Sequence, residues 1–485
     1  MTREEALAIY RAGQQVVVRV LCEMSDKIES LQKRVNELEK IVARLSKNSS
    51  NSSKPPSSDD ITKPKPKNKN EEKRNIGAQP GHPRNERSPF PREDIDKFHG
   101  YKLASCPDCH GEVILLDMEP RIIQQVELKE ILVTKEEHRS YPVWCKNCQK
   151  IHHMPFPPEV AREGLFRERL TALVAYMKHV DHASFSTIRK FIRDVLKIKI
   201  SRGYLRKVIQ KVSDSLEEPY KELLDLLPLE KVVNVDETGH KENGDKFWTW
   251  VFRTSLYVLF KIDKSRGSEV LTEVLGKEFN GVLGCDYFSS YRKYMKDFHI
   301  AIQFCIAHLI RDIRFLISFP DAETRVYGEK LLESVKNLFK VIGKREEMTE
   351  QAFKNGLEEA KETIMTVAIR DVPSSLDKDG KEEKREAQNM ANRFRKHGKA
   401  YFEFITTPGI KPTNNVAEQA IRFVVIDRMI TQGTRSIKGR ETNERLWTVI
   451  ATCRLQERSA YNFISEAVNA YFHNHSPPSL LSDFT

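Results

Sequence analysis

Three acidic residues on separate predicted elements are the strongest candidates for chemistry in this chain. Asp236 follows an apolar, β-branched run, residues 232–235, which is too short for a helix and predicts a buried strand that ends at the sheet edge. Asp286 ends a second run of the same kind, and Glu418 lies in the polar opening of a predicted helix. Carboxylates placed in this way predict one shared metal site.

The chemistry that fits such a site is the cutting and joining of phosphodiesters. It needs an activated oxygen nucleophile, a stabilised leaving oxygen and neutralised phosphate charge, which two Mg²⁺ ions about 3.5–4 Å apart can supply. Mg²⁺, or Mn²⁺ in its place, keeps several waters, so a few carboxylates hold it. We expect Asp236 to bridge the ions, Asp286 to bind from the adjacent strand, and Glu418 to close the site.

Each acid also has an ordinary explanation. The two aspartates stand where strands give way to turns, a common place for Asp. Glu418 comes three residues after Asn415 and is compatible with a capping box at a helix start. Only the joint order of the three acids, in a basic chain, favours the shared site. Spacing also leaves two rival ligands, Glu237 and Asp263.

Composition indicates a multidomain protein with an anionic partner. The 485 residues are enough for two to four domains, and the net charge of +11 with a pI near 9.0 points to nucleic acid. No apolar run reaches the length of a membrane span, and the first residues do not resemble a signal peptide. We therefore expect a cytoplasmic, nucleoid-associated protein.

Four of the eight cysteines form two CxxC pairs, separated by residues 121–133, which are rich in strand formers. Four thiolates with this spacing predict a tetrahedral Zn²⁺ site, which replaces a core that so small a segment cannot build. We assign residues 99–160 to a zinc ribbon, with a purely structural role and DNA contact both open. The ligands are Cys106, Cys109, Cys145 and Cys148.

The first 47 residues predict a coiled-coil helix. Apolar residues recur there in alternating steps of three and four, which favours self-association, most simply a dimer. An amphipathic helix packed on its own domain is the alternative. Residues 48–98 then predict a basic linker that either only connects or also touches phosphates. The seam consists of Leu21, Met24, Ile28, Leu31, Val35, Leu38, Val42 and Leu45.

Residues 161–228 have a helical pattern that includes a helix-turn-helix-like segment. A helix at 186–196 is followed by a short connection and a basic helix at 202–212, with Ser201 as the predicted cap. An ordinary helical hairpin with a solvated basic face explains the pattern equally well. The candidate DNA contacts are Arg202, Arg206 and Lys207.

From residue 229 the pattern predicts an α+β core. Three strands, at 232–236, 247–253 and 256–263, precede alternating helices and strands, which implies a mixed sheet with helices on its faces. Residues 229–319 form its first part and 401–462 its last, around a helical insertion at 320–400 and before a C-terminal tail at 463–485. Four basic residues in a loop-like stretch of the last part predict phosphate binding. They are Arg428, Arg435, Lys438 and Arg440.

Several motifs together resemble the bacterial DDE transposases of the insertion sequence 66 family, over nearly the whole chain. They are the leucine-rich first helix, the Ser/Lys/Pro tract at 51–59, the CxxC pairs, Asp-Glu-Thr-Gly at 236–239, Cys-Ile-Ala-His-Leu-Ile-Arg at 305–311 and Asn-Val-Ala-Glu at 415–418. The resemblance implies a ribonuclease-H-like core whose acidic triad is Asp236, Asp286 and Glu418. One departure is Ile306, where the family usually has Trp.

The resemblance implies that the protein cuts the ends of its element and joins the freed 3′ hydroxyl to target DNA. Accessory proteins encoded by the same element are further candidate partners. His308 and Arg311 are candidates for orienting the scissile phosphate, although His308 also fits as a satisfied helix residue. Arg422 either steers DNA or forms an i,i+4 ion pair with Glu418. A metal-dependent nuclease that never joins strands, and a zinc-ribbon DNA-binding regulator with an inactive core, are the rival functions.

Overall fold

The computed structural model describes residues 2–47, 90–99, 108, 110, 123–124, 133–145, 147–373 and 385–481. The chain divides into two units, Met1–Asp60 together with Ser140–Thr485, and Ile61–Arg139. In the second unit, the Gln124 side chain bonds both main-chain polar groups of Phe90, at 2.8 Å and 3.0 Å. Residues 48–89 of the predicted linker and most of the first half of the predicted zinc ribbon lie outside the described residues.

The N-terminal segment forms two helices, α1 (Arg3–Arg11) and α2 (Gln14–Leu45). Thr2 and Glu5 close a capping box at the start of α1, which satisfies two backbone amides at once. The predicted helix is confirmed, and α2 buries none of its residues. Its apolar seam is exposed, with Leu31 at 59% and Val35 at 46%. The coiled coil itself stays a prediction.

A hairpin surrounds the second CxxC pair. Strand β1 (Pro142–Cys145) pairs antiparallel with β2 (Lys150–His153). In the turn between them, the Cys148 sulfur lies 3.1 Å from Nε2 of His152. Cys106 and Cys109 lie outside the described residues, so the four-cysteine zinc site stays a prediction.

The region after the hairpin is helical, as predicted. Ser201 caps α6 through a hydrogen bond from the Tyr204 backbone amide, which confirms the predicted start of the basic helix. Leu205 and Val208 are buried, whereas Arg202, Arg206 and Lys207 are exposed. The helices are α3 (Pro158–Glu163), α4 (Glu168–His179), α5 (Phe185–Asp194), α6 (Arg202–Ser215) and α7 (Glu217–Leu226).

A five-stranded mixed sheet forms the centre of the core, as the sequence predicts. Its order is β5-β4-β3-β6-β7, in which β3 and β5 pair antiparallel with β4, and β3, β6 and β7 run parallel. The strands are β3 (Val232–Glu242), β4 (Asp245–Arg253), β5 (Val258–Asp263), β6 (Val282–Cys285) and β7 (Ala301–Phe304).

The predicted end of the first strand is wrong. We expected it to stop at Asp236 before a turn at Gly239, but β3 continues to Glu242 because β4 pairs with it along this whole stretch, Gly239 opposite Trp248. The strand is the central one of the sheet, between β4 and β6. Asp236 instead lies just beyond the point where the parallel pairing with β6 ends, at Asn234.

Helices cover the sheet and build the insertion. The predicted helical insertion contains α11, α12 and α13, and no strand among its described residues. The predicted basic loop is mostly the end of α15 and the start of α16, and much of the predicted tail is α17. The helices are α8 (Ser268–Leu275), α9 (Ser289–Phe298), α10 (Ile306–Ile317), α11 (Ala322–Gly343), α12 (Glu350–Arg370), α13 (Arg385–His397), α14 (Glu403–Thr406), α15 (Asn415–Thr431), α16 (Ile437–Leu455) and α17 (Ala460–His473).

Helix α16 closes the open edge of the sheet. Thr452, Thr448 and Glu444, one turn apart, accept hydrogen bonds from the backbone amides of β5 at 3.1, 3.0 and 2.6 Å. An edge strand with unpaired amides would otherwise be open to pairing with another chain.

No helix in the described part of the chain is long and apolar enough to cross a membrane.

Candidate active site

Asp236 and Asp286 lie next to each other across the parallel pair β3 and β6. Asn234 is opposite Gly284, and each aspartate follows two residues later, Asp236 within β3 and Asp286 directly after the end of β6. Backbone amides fix both side chains, since Glu237 N donates to Asp236 at 2.9 Å and Phe288 N donates to Asp286 at 2.9 Å. The two predicted strand acids therefore share one edge of the pairing.

Glu418 reaches the same place from α15. Ala417, Ile421 and Val424 form the buried stripe of this helix and pack on the sheet, which fixes its rotation. The Glu418 carboxylate accepts a hydrogen bond from His308 at 2.8 Å and lies 3.4 Å from Arg311 Nη2. All three sequence-predicted acids are therefore gathered around one point.

His308 links the second and third acids. It lies in the first turn of α10, directly after β7, and its ring is 2.8 Å from Glu418 and 3.9 Å from Asp286.

The two alternative explanations for Glu418, a capping box with Asn415 and an ion pair with Arg422, are wrong. Asn414, not Asn415, is the N-cap of α15, and Arg422 forms no ion pair with any described residue.

Burial and mutual repulsion govern the ionisation of the site. Burial, then the charges of Glu237 and Asp286, raise the pKa of Asp236 well above its usual range. Burial also raises the pKa of Asp286, against the opposing charge of His308. The hydrogen bond from His308 lowers the pKa of Glu418. A cation at this point would relieve the repulsion between the acids.

The two rival ligands are engaged elsewhere. Glu237 bonds to Arg266 at 2.7 Å and to the Tyr291 hydroxyl, and burial raises its pKa to about 7. Asp263 ends the edge strand β5 and accepts a hydrogen bond from Ser265 N at 2.7 Å. It belongs to the strand beyond β4, away from the pair that carries Asp236 and Asp286.

The late basic residues fall into two groups, only one of which is exposed. Arg428 donates hydrogen bonds to Thr238 and to the Gly239 carbonyl, and Arg440 lies 3.7 Å from Glu242. These two residues therefore hold α15 and α16 to β3, which the sequence did not predict. Arg435 and Lys438 are exposed, as are the three basic residues of α6.

Cys305 adds a sulfur atom beside His308 and Glu418. One ligand atom from each of the three residues lies within 4.8 Å of the others. The thiol is buried, accepts a hydrogen bond from Asn414 N at 3.1 Å, and has a raised pKa because of its burial. A protonated, occupied thiol is a poor ligand, so the oxygen donors are the better ligands for a cation.

Sequence reasoning missed the residues that connect the acids. Asn234 donates a hydrogen bond to Asn414 at 2.8 Å, and Asn414 donates one to the Val235 carbonyl at 2.8 Å. The bond between Asn234 and Asn414 spans 180 positions and the bond between Asn414 and Val235 spans 179. No local pattern predicts either bond. The only signal was the polar tract that opens α15.

The candidate acids lie beside the carboxyl ends of the parallel strands β6 and β7, the edge of the sheet at which α/β enzymes commonly carry their reacting groups. Comparison with protein families matches residues 163–442 to the Transposase IS66 family. The match covers more than half of the chain, so the chain belongs to this family and is a transposase, a DNA-processing enzyme. The resemblance drawn from its motifs is confirmed. Residues 3–88 match a second family, of unknown function, called DUF6444. The search of curated proteins returned no match.

Proposed function

We propose that this transposase cuts the ends of its element and joins the freed 3′ hydroxyl to target DNA at one acidic site. The observation that carries the proposal is the position of His308, 2.8 Å from Glu418 and 3.9 Å from Asp286. This position of His308 brings Glu418, on its helix, close to the two strand acids. The regulator with an inactive core is disfavoured, because it would be expected to leave these acids apart.

We infer that the catalytic core is ribonuclease-H-like. The mixed strand order, with antiparallel β4 and β5 on one side of β3 and parallel β6 and β7 on the other, supports this inference. So does the position of Glu418 on a helix that packs on the sheet after a long helical insertion.

The donor set fits Mg²⁺ or Mn²⁺. Asp236, Asp286 and Glu418 offer hard carboxylate oxygens, the ligands that these ions prefer. Burial raises the pKa of both aspartates, and the like charges of Glu237 and Asp286 raise that of Asp236 further, so the site favours a positive charge among them. When bound, the ions activate the attacking oxygen and stabilise the leaving oxygen.

The chain's own residues position the acids and the DNA. His308 and Arg311 hold the Glu418 carboxylate on the side of Asp286, so their role is to orient this acid rather than the scissile phosphate. The proposed contacts to phosphate and base edges are exposed basic residues in two groups. One group is Arg435 and Lys438, and the other is Arg202, Arg206 and Lys207 on the basic face of α6. Arg422, exposed and without an ion pair among the described residues, joins this set.

Two further parts complete the proposal. The exposed seam of α2 pairs two protomers, since two element ends must be brought together. A zinc ion held by Cys106, Cys109, Cys145 and Cys148 stabilises the ribbon, with a structural role and DNA contact both still open.

The central experiment measures Mg²⁺-dependent cleavage of a labelled element end by Asp236→Asn. The amide keeps the size of the side chain but removes the charge that holds a cation. We expect cleavage to be lost while the affinity for the end stays within about twofold, because phosphate contacts dominate that affinity. Retained cleavage would remove Asp236 from the mechanism.

A second assay distinguishes the transposase from a nuclease that never joins strands. Pre-cut ends with a free 3′ hydroxyl are incubated with target DNA and Mg²⁺. Joined products are expected from the wild type and not from Asp236→Asn. End cleavage without any joining would favour the nuclease.

A further inference from the structure

Asn414 stands at the start of the helix that carries Glu418, and it is 4% exposed. Asparagine at this N-cap position usually bonds the backbone amides of the first helical turn. Here the side chain makes no such capping bond to the described residues of α15. Its amide is therefore used for something other than starting the helix.

The polar groups of Asn414 bind two other elements of the core. Its Nδ2 donates to the Val235 carbonyl at 2.8 Å, and its Oδ1 accepts from Asn234 Nδ2 at 2.8 Å. Its backbone amide donates to the Cys305 sulfur at 3.1 Å. Val235 directly precedes Asp236, and Cys305 directly precedes α10, which carries His308.

The amide pair also fits closely over β6. A Cβ atom at Gly284 would lie 2.3 Å from Asn234 Nδ2 and 3.7 Å from Asn414 Oδ1. Only glycine leaves room for the pair at this position, two residues before Asp286. The two asparagines thus lie against both strands shortly before the acids, next to Val235 on β3 before Asp236 and next to Gly284 on β6 before Asp286.

Hydrogen bonds between buried amides restrict the movement of α15 relative to β3. A buried polar group that loses its partner destabilises the fold, and shifting α15 away from β3 would leave several such groups unsatisfied. The distance from Asn414 to Glu418 is one helical turn. The start of α15, and with it the carboxylate, therefore keeps a fixed place relative to Asp236.

We propose that Asn414, supported by Asn234, is a positioning residue that sets the place of Glu418 relative to the strand acids and thereby the affinity of the site for a divalent cation. The inference rests on the proposed function, in which these three acids hold that cation. It adds that the affinity depends on a residue that touches neither the cation nor DNA.

The test measures Mn²⁺ binding by titration calorimetry for the full chain and for Asn414→Ala. Residues that orient metal ligands typically change metal affinity by about 10–100-fold, and we expect a loss in this range. The Mg²⁺ concentration for half-maximal end cleavage should rise by a similar factor, while the cleavage rate at saturating Mg²⁺ largely recovers. Affinity for the element end, measured without metal, should not change.

Gln303→Ala is the matched control. Gln303 is also a buried amide, 2% exposed, and it bonds the Phe304 and Tyr401 carbonyls and the Phe404 amide at 2.9, 3.0 and 3.0 Å. It holds the segment that follows the insertion to β7, and none of its partners carries a triad acid. Its removal should lower stability as Asn414→Ala does and leave Mn²⁺ affinity unchanged.

Asn234→Ala keeps the test decisive if Asn414→Ala does not fold, because it removes only one bond of the pair. A weaker form of the same loss of affinity is expected. Mn²⁺ affinity equal to that of the wild type in the folded variants would overturn the positioning role alone. A wild type that neither binds Mn²⁺ nor cleaves would overturn the proposed function, and this inference with it.

Discussion

Glu237 and Arg266 form a partly buried ion pair beside the acidic site. Nε and Nη2 of Arg266 lie 2.9 Å and 2.7 Å from the same carboxylate oxygen of Glu237, whose side chain is 1% exposed. The guanidinium also stacks on Phe288, 3.8 Å from the ring centre. The pair keeps Glu237, which directly follows Asp236, occupied and away from a ligand role.

Removing Arg266 should destabilise the protein in a pH-dependent way. Burial raises the pKa of Glu237 to about 7 from 4.5, and Arg266 opposes that rise. Because the folded-state pKa exceeds the unfolded one, stability falls as pH rises through this window, and Arg266→Ala widens the fall. We expect a loss of about 2 kcal/mol above neutral pH, measured by urea unfolding. An equal loss well below pH 4.5, where Glu237 is protonated in both states, would contradict this reasoning.

Glu444 predicts a second pH dependence, far from the acids. It is 7% exposed, accepts the Ile262 amide at 2.6 Å, and its pKa is raised to about 7 by burial. Its ionisation therefore favours the unfolded chain as pH rises from 4.5 towards about 7. Glu444→Gln keeps the acceptor without the charge and should be up to about 3 kcal/mol more stable above neutral pH.

Melting temperatures across this pH range check the Glu444 prediction. Glu466→Gln, at an exposed position of α17, is the control and should keep the pH dependence of the wild type. If Glu444→Gln and the wild type lose stability in parallel with rising pH, Glu444 is not the group responsible.

His308→Ala should lower the affinity of the acidic site for metal without lowering the affinity of the protein for DNA. The histidine donates to Glu418 at 2.8 Å, so its loss frees the carboxylate to turn away from Asp286. Residues that orient metal ligands typically contribute about 10–100-fold to metal affinity or activity, and we expect a fall of this size in end cleavage. Arg314→Ala, an exposed position on the same helix, serves as control. A cleavage rate equal to that of Arg314→Ala would show that His308 does not position Glu418.

The exposed seam of α2 should mediate self-association. Leu31 and Leu38 are 59% and 48% exposed, a large cost for leucines unless a second helix covers them. We expect Leu31→Asp with Leu38→Asp to reduce the mass in solution, by light scattering, to that of one chain. Lys33→Ala removes only a surface ion pair with Glu29, at 3.1 Å, and should leave the mass unchanged. A monomeric wild type would contradict the coiled coil.

Local patterns predicted the strands and helices of the core and the three acids that these elements bring together. The period of the apolar residues gives each element, and three consecutive strands followed by alternating helices and strands indicate a mixed sheet. Sequence could not predict that β3 continues past Asp236, because the pairing with β4 decides it. Nor could it predict that Arg428 binds Thr238, 190 positions earlier, instead of phosphate. Contacts between distant segments depend on the finished fold.

Binding of Mn²⁺ to the wild type and to Asp236→Asn, Asp286→Asn and Glu418→Gln tests the central claim most directly. Each variant keeps its shape and loses one carboxylate charge. If the three acids form one site, every variant should bind Mn²⁺ at least about tenfold more weakly than the wild type. Binding by Glu418→Gln that matches the wild type would show that the helix acid belongs to no common site, and the proposed mechanism would be wrong.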